Sequence, residues 1–208
     1  MPLDAFLLFL AAWTLVALSP GPAVMFVMSK TARHGLRGGV AGTLGVVSGH
    51  LFTFSAVALG LAALLAKFSD AVYAIRIVGA LYLLYLGVKM LLSKPRAVTP
   101  INGSAGAPVA RHGIMLQGLG VQLTNPKNLL FVLALLPQFI RPGYPLLLQL
   151  GIMLTVTIVI DGAVLLAYAN LAAHGARALK GSRVVSWLER VFGTALVFFG
   201  LKLLTSRR

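Results

Sequence analysis

The chain has 208 residues, of which 59% are hydrophobic and only 11% are charged, with a formal net charge of +14. A soluble domain has about a quarter of its residues charged, so this composition excludes an ordinary soluble domain and favours a membrane protein. Lys and Arg stand in small groups between apolar runs, which argues against a nucleic-acid-binding surface and is typical of membrane topology.

Six apolar windows, each near the length that crosses a bilayer as a helix, predict one membrane domain over residues 1–208. In chain order the predicted spans are Leu3–Met28, Gly39–Ala66, Ala71–Leu92, Gly113–Phe139, Leu146–Asn170 and Val184–Leu204. A segment rich in Pro, Gly and Ser over 95–112 indicates a linker. The expected fold class is all-α and integral to the membrane, with six transmembrane helices.

The loops between these spans differ in basic residues. The first, third and fifth loops hold most of them, namely Lys30, Arg33, Arg37, Lys94, Arg96, Arg111, Arg177, Lys180 and Arg183. The second loop has only Lys67 and the fourth only Arg141. Because cytoplasmic loops are enriched in Lys and Arg, the odd loops are predicted to be cytoplasmic and both termini periplasmic or extracellular.

Two of the predicted spans contain proline-bearing breaks at matching places. The first span holds Ser19, Pro20, Gly21 and Pro22, and the fourth holds Thr124, Asn125, Pro126 and Lys127, which are offset by 105 residues. Proline lacks an N–H and displaces the carbonyl one turn earlier, which predicts free carbonyls at Val16, Leu18 and Gln122. Lipid cannot satisfy such groups, so they must face protein or a wet cavity.

A second internal match, offset by 113 residues, aligns residues 78–94 with 191–207. The chain therefore divides into repeat 1 (1–94) and repeat 2 (113–208), joined by the linker over 95–112. Three spans per repeat is an odd number, so the second repeat is predicted to be inverted, with broken helices 1 and 4. Inverted repeats place substrate sites near the bilayer midplane. The alternative is chance similarity between apolar sequences.

Two charged residues, Lys127 and Asp161, lie inside apolar spans. A charge there costs about 2.5–3.5 kcal/mol even on the gentler insertion scales, which favours a role in a substrate or ion pathway. The pattern predicts an amino-acid site, with the substrate carboxylate at Lys127 and its ammonium at the freed carbonyls and Asp161. The substrate-binding candidates are Ser19, Pro20, Gly21, Pro22, Asn125, Pro126, Lys127 and Asp161. Two alternatives stay open: kinks without ligand contact, and a structural ion pair between Lys127 and Asp161.

Further polar residues extend this hypothesis. Asp161 and His50 are candidates for proton coupling, since a buried carboxylate or imidazole can carry a proton. For His50 the alternative is a structural hydrogen bond between helices. The polar path candidates are Ser48, Gln122 and Gln138. Cysteine is absent, acidic residues number only four, and no cofactor or protease motif is present, so neither a cofactor, a metal site nor an enzyme is expected.

These residues resemble the lysine/homoserine exporter (LysE/RhtB) family of amino-acid exporters. The resemblance covers essentially the whole chain and is carried by Ser19–Pro22, the glycine-rich Gly38–Gly49, Ala80–Gly87, Gln117-Gly118, Asn125–Lys127, Phe131 and Pro137–Phe139. The chain departs from the family at Ser19, where relatives often have Asn. The resemblance implies export of amino acids across a bacterial inner membrane, driven by the proton motive force.

The sequence favours a neutral substrate such as homoserine, threonine or leucine, because only one firm carboxylate is embedded for cationic groups. The expected partners are this substrate and the lipid bilayer, and a homodimer stays open. Two other classes of protein are alternatives. One is an integral-membrane enzyme that uses His50, Asp161 and Lys127, and the other is a non-coupled pore.

Overall fold

The computed structural model describes residues 1–67, 69–92, 110–141 and 143–174, and single positions between 187 and 204. Its helices are α1 (Leu3–Leu18), α2 (Pro22–Lys67), α3 (Ser69–Leu92), α4 (Arg111–Leu123), α5 (Pro126–Phe139) and α6 (Leu146–Ala173). All regular secondary structure in these ranges is helical. The predicted linker lies outside the described residues except at its last positions, 110–112, and so does much of the predicted span Val184–Leu204.

The described helices agree with an all-helical membrane protein. By length and composition alone, two helical stretches are suited to cross a membrane: Pro22–Val57 within α2, which includes a turn at Gly35, and the whole of α6. Helices α4 and α5 together form a third span if the bent pair is counted as one. Leucines on the outer faces are exposed, such as Leu147 with 81% of its surface accessible, as expected where lipid is the solvent. The predicted all-α, membrane-compatible fold class is therefore confirmed.

Helix α2 folds back on itself at Gly35, whose φ of 66° and ψ of −171° are non-helical. Glycine adopts a positive φ without the steric cost that a side chain adds. On either side of this turn Gly39 contacts Thr31, and Gly42 lies against Phe26. The arms 22–34 and 36–67 therefore pack as an antiparallel hairpin. The sequence predicted a longer loop here, between Met28 and Gly39, and this boundary was wrong because a single glycine is sufficient for the turn.

Glycines allow α2 and α4 to approach backbone to backbone. A Cβ atom on Gly45 would overlap the carbonyl of Met115, and one on Gly118 would lie 2.7 Å from the carbonyl oxygen of Gly42. Small residues at such spacing are the usual means of close helix packing in membranes. The glycine-rich stretch of α2 therefore acts in packing.

Helix α3 makes similar contacts with the helical positions described between 187 and 204. A Cβ atom on Gly87 would lie 2.7 Å from the carbonyl oxygen of Gly193, and one on Gly200 would lie 3.0 Å from that of Ala80. The later residue of α3, Gly87, thus meets the earlier residue of the other segment, Gly193. These two segments therefore run antiparallel.

The relative directions of the remaining helices follow from their side-chain contacts. Helix α6 runs parallel to α1, since Trp13 bonds Asp161 and Tyr168 bonds Leu18. It runs antiparallel to the second arm of α2, where His50 bonds Asp161 and Gly39 lies against Ala169. The main core lies mostly between α1, α5 and α6 and consists of Phe9, Ala12, Trp13, Phe54, Ala80, Phe131, Val132, Leu136, Phe139, Leu150, Met153 and Leu196.

Candidate functional site

The first break separates α1 from α2 at the predicted place. Helix α1 ends at Leu18, and Ser19 caps it in an extended conformation with its N–H donating to the carbonyl of Val16 at 3.1 Å. Helix α2 begins at Pro22. The three residues between the helices therefore interrupt what the sequence predicted as the first span.

Both carbonyls that the sequence predicted to be free in this break accept hydrogen bonds from distant side chains. The amino group of Lys127 donates to the carbonyl of Val16 at 2.9 Å and to that of Ser19 at 2.9 Å. The hydroxyl of Tyr168 donates to the carbonyl of Leu18 at 2.9 Å. The end of α1 is therefore an acceptor-rich surface that α5 and α6 supply with donors.

The second break lies between α4 and α5, whose axes are bent by 55°. Asn125 caps the start of α5, and its side-chain oxygen accepts the backbone N–H of Lys127 at 3.1 Å. Pro126 occupies the first helical position, where a missing N–H costs nothing. This break therefore presents a helix N-terminus with its partial positive charge.

A polar network surrounds the carboxylate of Asp161. Its Oδ1 accepts the indole N–H of Trp13 at 3.0 Å, and its Oδ2 lies 2.6 Å from Nε2 of the buried His50. The side-chain amide of Gln122 lies 3.1 Å from the same imidazole nitrogen. Among the ion pairs of the described ranges, Asp161 therefore pairs with His50 and not with Lys127.

One cavity reaches both breaks and this network. Its polar lining consists of Ser19, Gln122, Asn125, Lys127, Asn128 and Asp161. Its apolar lining includes Trp13, Val16, Val24, Phe131 and Leu165. Carbonyl acceptors, a helix N-terminus, a lysine and a carboxylate thus border the same space, which suits a ligand that carries both a positive and a negative group.

The structure places the other candidates around or away from this cavity. Gly21 lines the cavity. His50 is not a described lining residue, but it bonds Asp161, which lines the cavity. Pro20, Pro22, Ser48 and Gln138 are not among the described lining residues, and the side chain of Pro126 lies outside the described part of the chain. The hydroxyl of Ser48 bonds the carbonyl of Leu44 in its own helix at 2.8 Å, so it is not directed toward the site.

Three residues around the site were not among the candidates. Trp13 donates its indole N–H to Asp161. Tyr168 lies seven residues after Asp161, which is two helical turns along the same face, and that spacing could have indicated it. Asn128 follows Lys127 directly and donates to the hydroxyl of Thr53 at 3.4 Å.

An aromatic cluster lies beside the cavity, toward the N-terminus of α1. Phe9 lies edge-on to Phe139 with ring centroids 5.2 Å apart, and Trp13 lies edge-on to Phe131 at 5.5 Å. Phe54 packs against Trp13 at 6.0 Å. Trp13 and Phe131 are the members of this cluster that line the cavity.

Comparison with known proteins agrees with this architecture. The family model of the LysE type translocator matches residues 14–207. The homoserine/homoserine lactone efflux protein of Salmonella typhimurium is 34% identical over 200 residues, covering 96% of this chain and 95% of that protein. An uncharacterized membrane protein of Vibrio cholerae is 28% identical and covers 100% of both chains.

A leucine efflux protein of Salmonella choleraesuis is 34% identical over 134 residues, covering 62% of this chain and 60% of that protein. No solved structure matches the chain significantly. The match to the family model spans almost the whole sequence, and it agrees with the resemblance noted from the motifs. The chain therefore belongs to the LysE type translocators, a family of transporters and not of enzymes.

Proposed function

We propose that this protein exports a neutral amino acid across the bacterial inner membrane in exchange for protons. The observation that carries the proposal is a cavity that Lys127, Asp161 and residues of both helix breaks line together. Family membership supports export, and relatives are named as homoserine and leucine efflux proteins. The cavity adds a reason for the substrate class, since an amino acid carries one ammonium and one carboxylate.

The substrate carboxylate would bind at the start of α5. Free backbone N–H groups and a partial positive charge occur at a helix N-terminus, and both favour an anion. Asn128 lines the cavity in the first turn of this helix, beside Lys127. The substrate ammonium would bind at the carbonyl end of α1, between Val16 and Ser19.

The proton would be carried by the pair of His50 and Asp161. Nε2 of His50 and Oδ2 of Asp161 lie 2.6 Å apart, which is within reach of a direct hydrogen bond between an imidazole and a carboxylate. Trp13 fixes the orientation of the carboxylate, and Asp161 is the member of the pair that lines the cavity. Protonation of the pair therefore changes the charge beside the substrate, which is the requirement for exchange of a proton against an amino acid.

Contacts between α3 and the described positions from 187 to 204 support an inverted repeat. When each residue is replaced by its counterpart 113 positions away, one contact becomes another. Gly87 corresponds to Gly200, and Ala80 corresponds to Gly193. The contact between Gly87 and Gly193 therefore maps onto the contact between Gly200 and Ala80. Two copies of one contact, with the partners interchanged, are expected for two units related by a pseudo-twofold axis.

The distribution of basic residues gives the orientation of the protein in the membrane. The first, third and fifth predicted loops would lie in the cytoplasm and both termini in the periplasm. The N-terminus of α1 and the aromatic cluster at Phe9 then lie on the periplasmic side. In that orientation the aromatic cluster would lie between the cavity and the periplasm, and substrate would enter from the cytoplasm.

Purified protein in proteoliposomes tests the proposal. Vesicles loaded with unlabelled homoserine, threonine, leucine, lysine or arginine are assayed for counterflow of the labelled amino acid, with and without an imposed pH gradient. We expect saturable exchange of a neutral amino acid that the gradient accelerates. Passive ion current would indicate a pore instead, and preference for lysine or arginine would contradict the neutral substrate.

Asp161→Asn tests the coupling, with Ser48→Ala as the matched control on a hydroxyl outside the cavity. We expect Asp161→Asn to fold and to lose all acceleration by the pH gradient, because the amide cannot take up the proton. Ser48→Ala should keep both exchange and acceleration. Gradient-driven export at the wild-type rate by folded Asp161→Asn protein would remove Asp161 from the coupling.

A further inference from the structure

The amino group of Lys127 occupies the place where the proposed substrate would put its ammonium. Its Nζ lies 2.9 Å from the carbonyl oxygens of both Val16 and Ser19. These are the acceptors that the first helix break turns toward the cavity. A side chain of the protein therefore fills the proposed ammonium subsite.

The contacts of Lys127 allow its amino group to move away from the two carbonyls. Lys127 lines the cavity and is only partly buried, and its stem passes the backbone of Gly21, where a Cβ atom would lie 3.5 Å from Cδ. The carboxylate within the cavity, Asp161, is bonded to His50 and Trp13. Lys127 thus donates to two carbonyls, which can equally accept hydrogen bonds from another primary ammonium, and it belongs to neither of the ion pairs found in the described residues.

Resting on the proposed export function, we infer that Lys127 is a built-in substitute for the substrate ammonium, which fills the amine subsite whenever the transporter is empty. Backbone carbonyls freed within a membrane need a donor in every state of the protein. The arriving amino acid supplies that donor and displaces Lys127 from the two carbonyls. After release, Lys127 returns and the empty transporter can reorient.

This role separates two rates that a simple binding role would not separate. Exchange of one amino acid for another uses only loaded states, in which the substrate satisfies the carbonyls. Net export needs the empty transporter to return. Without Lys127, the carbonyl of Ser19 has no other protein donor among the described residues, and the carbonyl of Val16 keeps only the backbone N–H of Ser19. A lysine that only held the fold, or only bound the carboxylate, would affect exchange at least as much as net export.

The test measures exchange and net export on the same proteoliposomes, using Lys127→Met and, as a control that removes a surface cation, Lys89→Met. For Lys127→Met we expect the rate of exchange to stay within about threefold of wild type. We expect the rate of net export to fall about tenfold or more, because an unsatisfied carbonyl lowers the population of the empty state by about that factor. Lys89→Met should retain both rates. Equal losses of exchange and net export, or no loss of either, would overturn the inference.

A second variant covers the case in which Lys127→Met fails to fold. Lys127→Ala leaves space at the subsite, and methylammonium added inside the vesicles should restore net export because it can donate to the same carbonyls. Tetramethylammonium, which has no N–H, should not restore it. Failure of methylammonium to restore export in folded Lys127→Ala protein contradicts the substitution. If wild-type protein shows no counterflow of any amino acid, the proposed export function itself is wrong.

Discussion

The two helix breaks have similar sequences but opposite chemistry. The first break, at Ser19, exposes carbonyls whose donors come from Lys127 and Tyr168 on other helices. The second break, at Asn125, is satisfied locally, because the Asn side chain caps its own helix. One break thus offers acceptors and depends on tertiary contacts, whereas the other offers donors and is self-contained. A pair of this kind suits a molecule with one positive and one negative end.

The largest effect is expected where the helices that carry the two breaks are packed together. Gly45→Ala places a Cβ atom on the backbone carbonyl of Met115, and a backbone cannot move aside as a side chain can. Overpacking costs about 1–3 kcal/mol or more. We expect loss of monodisperse protein in detergent, measured by size-exclusion chromatography.

Gly120→Ala on the same helix as Met115 is the control for this substitution, because a Cβ atom there meets nothing within 4 Å. It should give protein of wild-type behaviour. If Gly45→Ala and Gly120→Ala gave the same elution profile, the close contact between α2 and α4 would not be what holds the two breaks in place.

The first break is tested by Tyr168→Phe, which removes the donor to the carbonyl of Leu18. A buried acceptor left without a partner costs about 1–3 kcal/mol. We expect a lower melting temperature and slower counterflow. Tyr144→Phe, at an exposed tyrosine, should change neither quantity. An unchanged melting temperature for Tyr168→Phe would mean that the first break does not depend on tertiary donors.

The second break is tested by Asn125→Ala and Asn125→Asp, with a smaller expected effect. Loss of an N-cap costs about 1 kcal/mol, so Asn125→Ala should lower the melting temperature slightly. Asn125→Asp keeps a capping oxygen and should retain stability, but its negative charge should weaken binding of the substrate carboxylate. Isothermal titration with the transported amino acid measures the binding. Equal affinities for the two variants would place the carboxylate elsewhere.

Much of this arrangement follows from the sequence because proline and charge are strong local signals. Pro20 and Pro22 identify the carbonyls of Val16 and Leu18, and both accept side-chain bonds as their freed state requires. The depth of Lys127 and Asp161 in apolar runs indicates that both belong to one site, and they line one cavity. These inferences need only the backbone geometry of a helix.

The hydrogen-bond partners of Lys127 and Asp161 could not be predicted from the sequence. Lys127 contacts carbonyls, and Asp161 contacts His50 and Trp13, because the packing angles between helices decide which donor reaches which acceptor. An aromatic such as Trp13 has the same apolar pattern whether it packs or donates a hydrogen bond. The tight turn at Gly35 was likewise hidden among basic residues that resemble a longer loop.

That turn limits how the two arms of α2 can move. A long connection would allow 22–34 to tilt while 36–67 stayed in place, but a single glycine keeps the arms together. The arm 22–34 starts at the first break, and the arm 36–67 carries His50. One stretch of polypeptide therefore joins the first helix break, at one end of the cavity, to the histidine that bonds Asp161.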